Sequence, residues 1–178
     1  MHDDIEAVLL PEAAIHRRLD ELARQIVRDY AGTPLTLVAL LNGCIPFLAD
    51  LLRRISLPLQ VESLRVSSYR GRASCGSVRF HGLALPDVRG RRVLLVDDIL
   101  DTGETLRAVQ ERFAAEGAAI DLCSCVLLRK ERAKPALAKA DYVAFSIPDR
   151  FVVGYGLDYN GYYRNLPYIG VLREATAR

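Results

Sequence analysis

The sequence predicts an α/β fold, a mostly parallel central sheet flanked by helices, on three observations. Residues 35–41 and 93–96 are continuous apolar runs of strand length, the pattern of strands buried on both faces. Segments with helical spacing alternate with such runs, and strand–helix alternation argues for parallel strands joined by helical crossovers. The run at 93–96 ends in two carboxylates, Asp97 and Asp98, and open α/β sheets bind their ligands at the carboxyl ends of strands.

The elements follow in order. Ile15, Leu19, Leu22 and Ile26 fall at i, i+4, i+7 and i+11, one face of a helix, and Gly32-Thr33-Pro34 stops it. Residues 35–41 form the first buried strand, Asn42-Gly43 breaks it, and residues 45–52 read as the helix that follows. Residues 61–69 alternate loosely and carry β-branched side chains, so they read as a strand. The polar, glycine-bearing stretch 70–77 is a loop, and 78–81 returns as a short strand, giving a long hairpin. After the strand at 93–96, Leu106, Val109 and Phe113 repeat with helical spacing, and Gly117 is a C-terminal stop. Residues 120–128 and 142–145 are further strands. The last section is rich in Gly, Tyr and Pro and is expected to wrap over an edge of the sheet.

Composition narrows the function classes. With 178 residues, 51% of them hydrophobic, and with no repeat, low-complexity tract or linker, the chain reads as one domain over residues 1–178. A net charge of +2 provides no broad basic field, so nucleic acid is not an expected partner. No apolar run approaches the roughly 20 residues of a membrane span, and Met1-His2-Asp3-Asp4 lacks the basic, apolar start of a secretory signal. Cys44, Cys75, Cys123 and Cys125 have no zinc-ligand spacing and read as reduced, mostly buried thiols of a cytoplasmic protein.

The chemistry concentrates in Asp97-Asp98-Ile99-Leu100-Asp101-Thr102-Gly103-Glu104-Thr105. The turn at 101–105 enters a helix whose first N–H groups have no backbone partner and attract an anion. Gly103 lets backbone approach a phosphate, and Thr102 and Thr105 carry hydroxyl donors. The Walker spacing and its lysine are absent, which favours a phosphate monoester over a nucleoside triphosphate. Carboxylates beside such a turn accept hydrogen bonds from sugar hydroxyls and support Mg2+.

This segment resembles the phosphoribosyl pyrophosphate loop of the type I phosphoribosyltransferases. Adenine and orotate enzymes usually carry Ala or Thr at the position of Asp101, and uracil enzymes of the pyrimidine-operon regulator type tend to carry Tyr. Asp there is the pattern of the hypoxanthine-guanine phosphoribosyltransferases. The rest of the chain is similar to that family as well. Leu41-Asn42-Gly43 resembles its pyrophosphate loop, Val66-Ser67-Ser68-Tyr69 and the loop after it resemble its catalytic lid, and residues 141–159 resemble its purine pocket. Residues 163–172 resemble its C-terminal segment.

The resemblance implies a sheet topped by a small hood of N- and C-terminal segments, and a reaction joining a 6-oxopurine to the ribose with loss of pyrophosphate and a requirement for Mg2+. Asp101 matches the family's general base at purine N7. Asp97, Asp98, Thr102, Gly103, Glu104 and Thr105 would bind the ribose phosphate, with Asp97, Asp98 and Asp158 toward the metal. Asn42, Gly43, Ser68, Tyr69 and Arg164 would take the pyrophosphate. Lys130 would donate to the purine oxo group, Phe151 would stack on the ring, and the backbone carbonyls of Val152 and Asp158 would face a guanine amino group. Three positions depart from the family: Asp97 where Glu is frequent, Asn42 where Lys or Arg is usual, and Cys75 in the lid. The family is usually dimeric or tetrameric, and the apolar helix at 45–52 is a candidate interface, with core packing the competing reading. Two other functions are weighed, an RNA-binding regulator on the same fold and an inactive member kept as an interaction subunit. Asp101 and the small net charge argue against the first. The intact set of Asp97, Asp98, Asp101, Lys130 and Asp158 argues against the second.

Overall fold

A computed structural model describes residues 3–69, 77–82, 84–116, 119 and 121–173. In chain order, β1 (Ile5–Leu10) precedes α1 (Glu12–Asp29), and β2 (Leu35–Leu41) precedes α2 (Ile45–Leu52). β3 (Leu59–Tyr69) is followed by β4 (Ser77–Phe80), and β5 (Arg92–Leu100) by α3 (Glu104–Ala115). β6 (Asp121–Glu131), β7 (Tyr142–Pro148), β8 (Val152–Val153) and β9 (Ile169–Leu172) complete the described elements. The expected lid loop with Cys75, the stop at Gly117 and the strand start at Ile120 lie outside the described residues, as do the side chains of Ser68 and Tyr69.

The main sheet runs β4-β3-β2-β5-β6-β7, parallel throughout except for the antiparallel β3–β4 hairpin. Its two faces follow from the period of two along each strand. Leu37, Ala39, Leu94 and Val96 point to one side and pack with α1 and α2 through Ile15, Leu19, Leu22, Phe47 and Leu51. Val38, Leu40, Val93 and Leu95 point to the other and pack with α3 through Leu106, Val109 and Phe113. β2 and β5 are therefore apolar without alternation because both their faces are covered.

The chain leaves β2 toward the α2 face and leaves β5 toward the α3 face, which makes the β2–β5 boundary the topological switch point of the sheet. The hydrogen-bonded register shows the same opening. β5 pairs with β2 from Arg92 to Val96 but with β6 from Arg92 on to Leu100. β2 meanwhile runs on beside β3 as far as Leu41 paired with Arg65. A cleft opens between β2 and β5 beyond Val96.

A second sheet, β1-β9-β8, is antiparallel and forms the hood. Ile5, Val153, Leu166 and Leu172 make its own small core. β1 has no counterpart in the sequence expectations. Its six residues, IEAVLL, carry too little pattern alone, and their partner is more than 150 positions away, Ile5 pairing with Leu172.

The parallel strands also outrun their apolar cores. β5 continues through Asp97 and Asp98 to Leu100, β6 reaches Glu131 and so contains Lys130, and β7 reaches Pro148. Ladder hydrogen bonds belong to the backbone, so polar side chains at a strand end do not stop the pairing. In α2, Phe47 and Leu51 are core residues, while Ile45 is 51% exposed. Cys44, Cys123 and Cys125 are free thiols, and burial pushes those of Cys44 and Cys125 far up. Among the described residues no helix is long and apolar enough to cross a membrane.

Phe47 is fully buried on α2, at the centre of the larger apolar cluster. Phe47→Ala is expected to destabilise the protein by about 3–5 kcal/mol. Urea unfolding followed by circular dichroism checks this, with a lower midpoint at an unchanged m-value.

Candidate active site

The cleft between β2 and β5 holds a cavity of about 430 Å³. Its floor is the Asn42-Gly43 turn after β2 and the Asp97-Asp98 pair in β5. The turn 101–105 and the start of α3 form one wall, and Lys130 of β6 reaches in beside them. The hood closes the other side with Phe151, Val152, Leu157, Asp158 and Arg164. Every site residue singled out in the sequence whose side chain is described lines this cavity, and β3 contributes Val66 and Ser67.

Local packing explains the turns. The Leu41–Asn42 peptide bond is cis. A Cβ at Gly43 would overlap the Asp98 carboxylate, so the acid occupies the space any other residue would need at 43. Gly156, at φ +100°, sits directly on this turn, where a Cβ would overlap the Gly43 carbonyl oxygen. The hood therefore rests on the floor of the site, backbone against backbone. Gly103, at φ +80°, precedes α3, and a Cβ there would lie 2.7–2.8 Å from the backbone nitrogens of Ala138 and Leu137. Leu137 N donates to Thr102 O at 2.8 Å, bracing the turn from outside. No side chain of the capping residue closes the start of α3, and Thr102 Oγ1 reaches Glu104 N only at 3.4 Å. A helix start of this kind offers first-turn N–H groups to an anion.

The carboxylates have opposite environments. Asp98 N donates to Asp97 Oδ1 at 3.0 Å, so the two acids fold onto each other. Burial, and then the charge of Asp98, push the Asp97 carboxyl well above its ordinary value. Burial also raises Asp98, against the opposing pull of hydrogen bonds and Arg164. At Asp101 burial again opposes the charge, but Lys130 and Arg132 outweigh it and hold the carboxyl below the usual range. Lys130 Nζ lies 3.4 Å from Asp101 Oδ2 and 3.3 Å from Asp149 Oδ1. Arg132 donates to Asp101 Oδ1, and its Nε lies 3.4 Å from Asp149 Oδ2.

On the hood side, Arg164 Nη2 pairs with Asp158 Oδ1 at 2.7 Å and Arg164 Nη1 donates to Gly156 O at 2.6 Å. Asp158 Oδ2 also accepts from Gly161 N at 2.8 Å. The Asp158 carboxylate thus orients Arg164. Phe151 stands 45% exposed at the cavity, held edge-on by Tyr159 at a centroid distance of 5.6 Å. An exposed aromatic face beside an ammonium and a carboxylate is a surface for a flat, polar ring.

Residues 9–160 match the phosphoribosyl transferase domain family. The chain belongs to this family. Over 176 residues it is 42% identical to the hypoxanthine-guanine phosphoribosyltransferase of Streptococcus pneumoniae R6, covering 98% of this chain and 97% of that protein. The enzyme of the same description from Staphylococcus aureus Mu50 is 41% identical over 174 residues, 97% of each chain. The crystal structure of a Staphylococcus aureus hypoxanthine phosphoribosyltransferase superposes with a TM-score of 0.92 at 39% identity, covering 100% of this chain and 97% of the other. That of the Trypanosoma cruzi hypoxanthine phosphoribosyltransferase in a ternary substrates complex superposes with a TM-score of 0.89 at 36% identity, covering 99% of this chain and 100% of the other.

Two charged residues of this phosphoribosyltransferase site escaped the sequence reading. Arg132 follows Lys130 by two positions, just past the end of β6, and meets the same two carboxylates. That spacing was a usable signal. Asp149 follows the end of β7, and Lys130 pairs with Ile147 in the register, but nothing in the sequence announces that neighbourhood.

The donors at the floor suit Mg2+. Asp97 and Asp98 are adjacent acids whose charge is opposed by burial and by each other, which a divalent cation relieves. No three acidic, His or Cys side chains converge among the described residues. That fits an ion held by one or two carboxylates and completed by water and substrate phosphates. Asp158, paired with Arg164, lines the same cavity from the hood side.

Without a divalent cation the pair is a like-charge contact taken out of water. Asp97→Asn, measured at pH 8 in EDTA, is expected to raise the melting temperature, by roughly 1 kcal/mol of stability. Thermal denaturation checks this, and added MgCl2 stabilises the wild type more than the variant.

Proposed function

We propose that the chain acts as one domain, residues 1–178, and joins hypoxanthine or guanine to phosphoribosyl pyrophosphate, giving IMP or GMP and pyrophosphate with Mg2+ brought in by the substrate. The observation that carries this reading is the pairing of Asp101 with Lys130 at 3.4 Å, on the cavity wall beside the uncapped start of α3. An anion site, a carboxylate held ionised and an ammonium in one cavity match the three parts of such a reaction, namely phosphate, a purine proton to remove and a purine oxygen to bind.

The chain's own groups divide the work. The N–H groups at the start of α3, with Thr102, Gly103, Glu104 and Thr105, take the ribose phosphate. Asp97 and Asp98 accept from the ribose hydroxyls and face the metal. Asn42, Gly43, Ser68, Tyr69 and Arg164 receive the pyrophosphate, Arg164 with its guanidinium fork. Bound Mg2+ supplies positive charge to the phosphate oxygens of the leaving group. Phe151 stacks on the purine and Lys130 donates to its 6-oxo group. An ammonium can only donate, so it favours an oxo group over an amino group. The carbonyls of Val152 and Asp158 accept from the 2-amino group of guanine.

In the reacting step purine N9 bonds to C1 of the ribose as the bond from C1 to the pyrophosphate oxygen breaks. The purine N7 proton passes to Asp101. The sugar carbon develops positive charge, as in glycoside cleavage, and the ionised Asp101 stabilises the purine–sugar pair.

A spectrophotometric assay with phosphoribosyl pyrophosphate and Mg2+ is expected to give turnover with hypoxanthine and guanine and little with adenine. Absence of turnover with every 6-oxopurine would overturn the reading. Asp101→Asn is expected to lower kcat for hypoxanthine by about 10²–10⁴-fold. A wild-type kcat in that variant would remove Asp101 from the role of base.

A further inference from the structure

Arg132 has no part in the roles above, yet it completes the charge arrangement around Asp101. Lys130 contacts Asp101 at 3.4 Å and Asp149 at 3.3 Å. Arg132 contacts the same two carboxylates, Asp101 through Nη1 and Asp149 through Nε at 3.4 Å. Each cation touches both acids, so the four side chains form a closed ring of alternating charge at the cavity rim.

The transfer asks one member to leave this ring. Lys130 must turn its ammonium toward the purine oxygen, and that withdraws a cation from the half-buried Asp101 and the exposed Asp149. We propose that Arg132 is a positioning residue that keeps Asp101 and Asp149 paired while Lys130 leaves the ring for the purine oxo group. This inference rests on the 6-oxopurine reading of the site.

The chemistry of the two cations supports that division. An ammonium is a point charge on a flexible stem and is free to change partners. A guanidinium presents donors on different nitrogens in a rigid fork, and here Nη1 and Nε already serve different carboxylates. With Arg132 in place, both acids keep a partner when Lys130 moves. Without it, Lys130 has both carboxylates to serve and is held back from the purine.

The surroundings sharpen the need. Asp97, Asp98 and Glu104 line the same cavity as Asp101, and Asp149 stands behind the two cations. All are acids, which favour protonation of Asp101. Among the described lining residues Arg164 is the cation besides Lys130, and it is paired with Asp158 on the hood side. A cation that stays beside Asp101 throughout is what keeps it an effective base. Arg132 is one-third exposed, so it sits at the rim without filling the purine space.

The test uses the full chain as wild type, Arg132→Met and Arg132→Lys. Two measurements are made, steady-state kinetics with hypoxanthine and phosphoribosyl pyrophosphate plus Mg2+, and the titration of the Asp101 carboxyl by 13C NMR in the free protein. Arg132→Met is expected to raise the hypoxanthine KM roughly fivefold while the phosphoribosyl pyrophosphate KM stays near wild type. The Asp101 titration is expected to move up by about one pH unit. Arg132→Lys restores the titration but only part of the KM, because a point charge cannot fork. An unchanged Asp101 titration in Arg132→Met, or KM values that rise equally for both substrates, overturns the proposal. The titration reads out even in a protein without turnover, so failure of the proposed function and failure of this inference are told apart.

Discussion

The end of the β2–β5 ladder at Val96 is the constraint on which the rest of the site depends. Up to that residue the sheet is continuous and apolar on both faces. Beyond it β5 is held by β6 alone on its hydrogen-bonded edges, and β2 is held by β3. The first backbone N–H groups past the break look elsewhere for partners, and Asp98 N finds the Asp97 carboxylate. The same break leaves room for Gly43 to face Asp98 without a side chain between them. Floor, acids and phosphate turn are thus consequences of one ladder stopping before its neighbours do.

From that opening the protein builds two acidic centres of opposite character a few residues apart on one strand and its loop. Asp97 and Asp98 are raised by burial and proximity, so their negative charge waits for a positive partner. Asp101 is lowered by two resident cations, so its charge is present before anything binds. Environments that push neighbouring carboxyls apart in this way let acids of one type serve different tasks, as the proposed function assigns them. Side-chain type is identical at all three positions, and only the surroundings assign the difference.

Much of this was legible in the residues. The apolar runs at 35–41 and 93–96, the helical spacing of Ile15 to Ile26 and of Leu106 to Phe113, and the Asn42-Gly43 break depend on local patterns, and the structure keeps them. The strand ends were not legible, because β5, β6 and β7 continue on backbone pairing that polar side chains neither help nor hinder. β1 was not legible because its partner strand is distant in the chain. Among the site residues, Asp101 carried its own signal and Lys130 stood out only through the family resemblance, whereas Asp149 joins them only because β7 pairs with β6.

The hood has a consequence for the order in which the protein is made. Its sheet joins residues 5–10 to residues 152–153 and 169–172, so it exists only after nearly the whole described chain has been synthesised. The main sheet, with the phosphate turn and the acidic pair, depends on strands that end at Pro148. On a ribosome, where chains emerge at about 5–20 residues per second, the half of the cavity built on the acidic pair and the turn 101–105 precedes the hood wall, and β1 waits for its partner until β9 appears. The last stretch of synthesis turns an open groove into an enclosed site.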